Sequence, residues 1–261
     1  MTTPSLGWVP LAVGLVCLTA AACAGEDEPR PNLLHLAGVV EVIGSQDVGG
    51  GGGLEWFRKM SPRWGFGVGT YSYGFDNTHW AFGRVTGFYN LRDWTIVSGT
   101  ADVGAGRFEG EASTFQLYKA GVLQALVPKR LYLSVEEQYA RYSRFEEPLL
   151  KAGFIVYPSR SLSVQSHYHV STGGDVDSHF VSARVDLDTG PFAVLAGGRV
   201  GQAAPEPLQR AAEHPRAVET REGFAGVALP VGGHVVRVVL SVTDQSTVMR
   251  YRAEVSWTLR F

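Results

Sequence analysis

The residues with the clearest capacity for chemistry are His167, His169 and Ser171, which occupy alternate positions of one short segment. Side chains two residues apart on a β-strand point to the same side, so all three would share one face. A histidine close to a serine can act as the base that activates the hydroxyl group as a nucleophile. The segment therefore offers one catalytic hypothesis, in which His169 is the base and Ser171 is the nucleophile.

The pair formed by His169 and Ser171 resembles the His-x-Ser element of outer-membrane phospholipases and lipid A deacylases. In those enzymes the serine is followed by Asn-Gly, whereas here Thr172 follows it. The same face also carries Ser163 and Gln165, which indicates a polar inner wall rather than a catalytic pair that faces lipid. No third residue that would orient the histidine is evident. We therefore predict a protein that is not an enzyme, with a lipid hydrolase as the alternative.

A metal site is the second chemical hypothesis, because His167 and His169 would project side by side from one strand. The next histidine, His179, has the opposite parity in the neighbouring segment, and spacing fixes no further ligand. We expect no metal ion and no other cofactor.

A larger set of charged residues lies on the polar side of the alternating segments in the C-terminal part of the chain. In a barrel these side chains would line the lumen, where they could form a constriction that selects solutes. Ion pairs among them could instead plug the lumen, and the sequence leaves both possibilities open. The set comprises Arg184, Asp186, Arg199, Arg237, Arg250, Arg252 and Glu254.

Strands must position these side chains, and the clearest strand is the last one, from Met249 to Phe261. Apolar and polar residues alternate along it without interruption, which is the period of a β-strand. A soluble sandwich would bury the apolar face, whereas a transmembrane barrel turns that face to lipid. The terminal pattern resembles the assembly signal of bacterial outer-membrane barrels, so we expect the barrel assembly machinery to recognise Val255, Trp257, Leu259 and Phe261.

Alternation continues upstream and predicts an all-β fold, a closed antiparallel transmembrane barrel of about 14 strands, with about 12 as the alternative. The connections predict short periplasmic turns and longer extracellular loops, and the glycine run 49–53 is expected to be one of these loops. The expected strands are 36–45, 51–60, 64–75, 78–89, 92–104, 113–127, 130–143, 148–158, 161–171, 178–189, 191–201, 220–230, 233–243 and 247–261.

Composition agrees with a barrel in the bacterial outer membrane. The 261 residues are 45% hydrophobic with a mean hydropathy of +0.00, which excludes a bundle of apolar transmembrane helices. The net charge of −2 gives no electrostatic reason to expect nucleic acid as a partner. Outer-membrane lipids are the expected surroundings.

The N-terminal region predicts export. Residues 1–24 contain a short apolar run followed by small residues, as in a signal peptide, and residues 25–35 form an acidic periplasmic linker before a barrel at 36–261. The two cysteines, Cys17 and Cys23, lie in or beside the signal, so no disulfide framework is expected. Whether Cys23 is lipidated or removed with the signal stays open.

A family resemblance rests on one long segment. It contains Val127-Pro128-Lys129-Arg130-Leu131-Tyr132, then Tyr139, Tyr142 and Tyr157, the triplet His167-Tyr168-His169, a Gly-Gly-Asp loop at 173–175, and Val181 to Val185. This pattern of turns and aromatic residues resembles the YaiO-type outer-membrane β-barrel family. The resemblance implies a signal peptide, a barrel and an aromatic terminus. It implies no functional residues.

Three functions are compatible with these observations. The leading hypothesis is a non-enzymatic outer-membrane barrel, either a porin-like conduit for small solutes or an accessory to surface-polysaccharide export. The others are the lipid hydrolase and a structural barrel that binds a partner through its outer loops. Six aromatic residues could line a sugar path or form girdles at the membrane interface, namely Trp64, Tyr71, Tyr73, Trp80, Tyr89 and Trp94.

Overall fold

The chain folds into one closed barrel of fourteen strands, each antiparallel to both of its neighbours. The structure, a computed structural model, describes residues 32–44, 47–75, 78–92, 94–108, 111–142, 145–174, 177–203, 217–245 and 248–261. The strands are β1 Asn32–Ile43, β2 Asp47–Lys59, β3 Trp64–Phe75, β4 Thr78–Arg92, β5 Thr95–Phe108, β6 Glu111–Val127, β7 Leu131–Tyr142, β8 Phe145–Val156, β9 Leu162–Ser171, β10 His179–Asp188, β11 Ala193–Ala203, β12 Val218–Val231, β13 His234–Gln245 and β14 Val248–Arg260.

The seam between β1 and β14 closes the barrel, and its register runs from Leu33 opposite Arg260 to Ile43 opposite Arg250. At the end of the seam, the backbone N–H groups of Asn32 and Phe261 each donate to the other residue's carbonyl oxygen, at 3.2 and 3.1 Å. Closure leaves neither strand with an unpaired edge, as a lipid environment requires. The expected count of about 14 strands is confirmed, and the alternative of 12 is wrong.

The barrel begins earlier than the sequence indicated. Residues 32–35, which the alternation placed in the linker, belong to β1, because backbone hydrogen bonds with β14 and Phe261 continue down to Asn32. The expected signal peptide at 1–24, including Cys23, and the linker residues 25–31 lie outside the described residues. No helix in the described part of the chain is long and apolar enough to cross a bilayer.

The glycine run 49–53 is not an outer loop, so that prediction is wrong. These glycines lie within β2, where they pair with β1 on one side and β3 on the other. A Cβ atom on Gly53 would come within 2.0 Å of Cδ1 of Tyr71, and one on Gly51 would come within 3.1 Å of Cδ2 of Tyr73. The run therefore makes room for two aromatic rings that lie flat against the inner wall.

The strands are longer than expected at the barrel end opposite Asn32 and Phe261, so most connections there are short. The segment expected as a loop at 105–112 is nearly all strand, since β5 ends at Phe108 and β6 begins at Glu111. Among the connections between described strand ends, 172–178 and 204–217 are the long ones. Both lie at this end, which we take as extracellular because outer-membrane barrels place short turns in the periplasm.

The outer surface of the barrel is apolar. Alternate residues of each strand point outward, and large hydrophobic side chains remain exposed there, for example Val40, Leu240 and Val255 at 54%, 60% and 51%. A continuous exposed apolar wall is stable only in lipid, and a closed barrel is the only sheet that can span a bilayer. The protein is therefore an outer-membrane barrel. The side chains of the inner wall are the ones that could contact a solute.

Candidate lumen site

The interior wall carries the charged residues that the sequence singled out. The register places Arg184 and Asp186 of β10, Arg199 of β11, Arg237 of β13, and Arg250, Arg252 and Glu254 of β14 on the inward face. Several are almost completely covered by other side chains: Arg250 is 2% exposed and Glu254 5%. The wall of β10 to β14 is thus both charged and closely packed.

Most of these charges meet a partner within the wall. Arg199 Nε lies 2.7 Å from an oxygen of Glu222, which faces it on β12. Two further pairs form between residues two apart on the same strand: Arg184 with Asp186 at 2.5 Å, and Arg252 with Glu254 at 3.3 Å. The sequence missed Glu222, although its inward parity in β12 could have identified it.

A second charged group, on β2 to β5, was not found from the sequence. Arg84 donates from Nε and from an Nη atom to the two carboxylate oxygens of Asp102, both at 2.7 Å. The hydroxyl of Tyr71 donates to Glu55 at 2.6 Å, and the Arg84 guanidinium lies over the Tyr71 ring, 4.6 Å from its centre. Asp102 is 1% and Arg84 6% exposed, so the bidentate pair that they form is almost completely buried.

Another tyrosine crosses the glycine run to reach β1. The hydroxyl of Tyr73 on β3 donates to Glu41 on β1 at 2.5 Å, with the glycines of β2 beneath the ring. Glu41 is only 3% exposed. The glycines of β2 therefore leave room for the Tyr73 side chain, which links β3 to β1 across β2. Larger side chains in β2 would collide with its ring.

Replacing Gly53 with alanine should destabilise the barrel by about 1–3 kcal/mol, because the new methyl group overlaps the Tyr71 ring and displaces its hydroxyl from Glu55. The temperature at which the folded band is lost in a heat-modifiability assay measures the effect. Gly38→Ala is the matched control, since nothing lies within 4 Å of a Cβ at that position. Equal melting of both variants would show that Gly53 has no such role.

The six aromatic residues divide between the two faces. Tyr71, Tyr73 and Trp80 are buried in the lumen at 8%, 7% and 4% exposure. The other three, Trp64, Tyr89 and Trp94, are 42–48% exposed near the periplasmic end, where an interfacial girdle is expected. Neither hypothesis therefore applies to the whole set.

The proposed catalytic pair does not form a hydrogen bond. His169 Nε2 lies 2.9 Å from Oγ of Ser182 on β10, and its ring stacks on Phe180 with centres 4.2 Å apart. Ser171 donates to the backbone carbonyl of Gly173 at 2.7 Å. The structure thus places both residues on the lumen face but gives each of them a different partner.

A polar cluster lies beside His169, on the inward face of β6 to β9. Lys119 faces Gln138, Glu136 faces Lys151, and Lys151 in turn faces His169. Lys151 Nζ is 3.9 Å from Glu136, which is much looser than the pairs described above. We call Lys119, Glu136, Gln138, Lys151 and His167 the β6–β9 cluster, in which His167 lies in the row of Gly153 and Ser134, four residues along β7 from Gln138.

Two members of the β6–β9 cluster are buried and have a polar atom without a hydrogen-bond partner among the described residues. These atoms are Nε2 of Gln138, whose side chain is 3% exposed, and Nε2 of His167, which is 7% exposed. The described residues contain no group of three or more His, Cys, Asp or Glu side chains arranged to hold a metal ion.

Comparisons with known proteins identify the architecture. No family model matches the chain, and no curated protein matches its sequence. Among solved structures, it is similar to the CymD monoaromatic hydrocarbon channel, with a TM-score of 0.70 and 13% identity over 100% of this chain and 94% of that one.

Two other solved structures share this architecture. The Pseudomonas putida toluene transporter TodX gives a TM-score of 0.63 and 11% identity over 99% of this chain and 96% of that one. A bacterial polysaccharide outer membrane secretin gives 0.56 and 11% over 90% and 100%. At these identities the likeness establishes the barrel fold, and the YaiO-type resemblance stays a prediction.

Proposed function

We propose that the protein is a non-enzymatic conduit for small polar solutes across the outer membrane. The observation that carries this proposal is the polar, charged interior of a closed barrel. Several inward polar atoms have no partner among the described residues, including Nε of Arg237 and both side-chain polar atoms of Gln245. Buried polar groups of this kind are normally satisfied by water, so a hydrated interior is expected.

The path through the barrel is narrow. In a wide water-filled pore, charged wall residues would be well exposed, but Glu41, Asp102 and Arg250 are only 1–3% exposed. Barrels of 16 to 18 strands leave an open aqueous channel, and a smaller barrel with long inward side chains leaves much less room. The low exposure of the wall charges therefore supports a constricted path rather than a wide open pore.

Among the structural neighbours, the CymD and TodX proteins are described as a channel and a transporter. That description supports a conduit and gives no solute for this chain. The separate partners of His169 and Ser171 support a protein without hydrolase activity, because the histidine does not contact the hydroxyl it would have to activate.

Planar-bilayer recording tests the conduit. The folded protein should give discrete current steps that are smaller than those of a 16-stranded general porin measured in the same salt, because its interior side chains fill most of the cross-section. A preparation that inserts into the bilayer and passes no current would contradict the proposal. The variant Glu219→Ala should give the same current steps as the wild type, since its ion pair with Arg221 is exposed and lies outside the lumen.

A role beside surface-polysaccharide export is the second candidate, favoured by the shared architecture with the polysaccharide secretin. Loss of the gene should then reduce polysaccharide at the cell surface while polysaccharide is retained inside the outer membrane. Unchanged surface polysaccharide would rule out this role and leave the conduit proposal intact.

A further inference from the structure

The periplasmic end of the barrel carries an excess of cationic side chains. Short turns join β2 to β3, β4 to β5, β6 to β7 and β8 to β9 at this end, and each turn contains or adjoins an arginine. Within the described part of the chain, seven cations are exposed here, and Asp188 is the exposed acidic side chain. We call the seven the basic rim, which comprises Arg58, Arg63, Arg92, Lys129, Arg130, Arg160 and Arg260.

The excess remains when the other charges on the periplasmic side of the sequence are counted. Lys59 and Arg30 raise the number of cations to nine. With the predicted linker and the chain end included, that side has six carboxylates, which are those of Glu26, Asp27, Glu28, Asp93, Asp188 and the main chain of Phe261. No member of the basic rim forms an ion pair with a carboxylate of the described residues, so its charges are not neutralised locally.

The opposite end of the barrel has a different balance of charge. Among the residues that the structure describes there, three exposed cations accompany four exposed carboxylates, namely Arg107, Arg141 and Arg221 with Glu146, Asp177, Glu219 and Asp244. Two of these cations are paired, since Arg141 lies 3.4 Å from Glu146 and Arg221 lies 2.6 Å from Glu219. The sequence of the connections and strand ends at this end adds three arginines but seven carboxylates, which are Asp47, Asp76, Glu109, Glu111, Asp175, Glu206 and Glu213. The positive excess is therefore confined to the periplasmic mouth.

The inner wall between the two ends is balanced in charge. Its described inward side chains include eight cations, which are Arg84, Lys119, Lys151, Arg184, Arg199, Arg237, Arg250 and Arg252. They also include eight carboxylates, which are Glu41, Glu55, Asp102, Glu136, Glu147, Asp186, Glu222 and Glu254. The uneven charge of the periplasmic mouth, rather than the net charge of the wall, is therefore the feature that can favour anions.

We infer that the basic rim gives the periplasmic mouth a preference for anions, so that the conduit draws anionic solutes from the periplasm. Rings of arginine and lysine favour anions in pores, and fixed charge around a mouth raises the local concentration of solutes of opposite sign. The field of an exposed charge extends over about 10 Å at 0.1 M salt and about 3 Å at 1 M, so the preference depends on the ionic strength at this mouth. The inference rests on the proposed conduit function and adds the charge of its solute.

Zero-current potentials in planar bilayers of phosphatidylcholine test the rim, because K⁺ and Cl⁻ have nearly equal mobilities in water and this lipid has no net charge. Each inserted barrel is recorded with about 0.1 M KCl on one side and about 1 M on the other, and then with the two solutions exchanged. Cl⁻ should pass about twofold more readily than K⁺ when the dilute solution bathes the basic rim. The preference should be much weaker in the opposite arrangement, where concentrated salt screens the rim.

Replacing three members of the rim separates its effect from that of the rest of the barrel. Arg63→Gln, Arg92→Gln and Arg130→Gln together should bring the Cl⁻ to K⁺ permeability ratio close to one in the arrangement that showed the preference. The same three residues changed to lysine keep their charge and should keep the ratio. All three arginines are exposed at turns, so both variants should assemble, which heat-modifiability checks.

The rim and the conduit fail separately. No preference for Cl⁻ in either arrangement, or the same permeability ratio in the glutamine and lysine variants, would overturn the role of the rim and leave the conduit intact. A barrel that inserts and passes no current would contradict the conduit, and this inference with it. If the glutamine variant does not assemble, the wild-type protein still decides, because equal ratios in the two arrangements would show that the periplasmic mouth does not set the preference.

Discussion

Replacing Asp102 with alanine is expected to lower the free energy of unfolding by about 3 kcal/mol, because the change leaves the buried Arg84 guanidinium without its bidentate partner. Glu55 lies 3.9 Å from Arg84 and offsets part of the loss, so we expect the lower end of the range for broken buried pairs. Urea titration of the barrel in phospholipid vesicles measures the change.

A double variant separates the loss of a pair from the loss of packing. Replacing Arg84 and Asp102 together with leucine removes both charges and should recover most of the stability lost in the single variant. Glu219→Ala is the matched control, since its pair with Arg221 is 67% and 59% exposed and should contribute little. A single variant as stable as wild type would show that the Arg84–Asp102 pair does not hold the inner wall.

Placing an arginine on the outer wall should also have a large effect. Leu240 lies in the middle of β13 and is 60% exposed, so Leu240→Arg should cost about 2–4 kcal/mol when that face contacts the centre of the bilayer. Folding into lipid vesicles followed by urea titration gives the value.

The cost of such a charge depends on depth, which provides the control. Leu229 also faces outward but lies two residues from the periplasmic end of β12, where an arginine should cost about 0–1 kcal/mol. If both arginine variants lost the same stability, or neither lost any, the outer face would not lie against lipid as described.

Alternation along single strands was enough to predict the architecture. The faultless pattern from Met249 to Phe261 defined β14 within one residue at each end, and similar patterns elsewhere gave the correct number of strands. A period of two is a local property, so it can be read without knowing which strands are neighbours. The same parity placed Arg184, Arg237 and Glu254 on the polar face.

The glycine run was misread for a physical reason. Glycine has a low intrinsic preference for strands, so composition alone predicted a loop at 49–53. In the barrel, the two neighbouring strands supply the hydrogen bonds, and the rings of Tyr71 and Tyr73 occupy the space that larger side chains would need. These tertiary contacts override local propensity. They come from neighbouring strands, so the sequence of β2 alone does not predict them.

The contacts between lumen residues could be predicted only in part. Arg84 and Asp102 are 18 residues apart, and only the register between β4 and β5 sets them opposite each other. The residues of the β6–β9 cluster likewise face their neighbours only through three successive strand pairings. Parity identifies inward residues, but it does not identify which of them meet.

Modification of a single introduced thiol tests the conduit most directly. With Cys17 and Cys23 replaced by serine, a cysteine at Ser182 would lie on the lumen face at mid-height, whereas one at the adjacent Val181, which is 44% exposed, would face lipid. A charged, membrane-impermeant methanethiosulfonate reagent is added during bilayer recording. We predict that the current through Ser182→Cys falls on modification and that the current through Val181→Cys does not. An unchanged current in Ser182→Cys, or a fall only in Val181→Cys, would contradict a solute path through the interior.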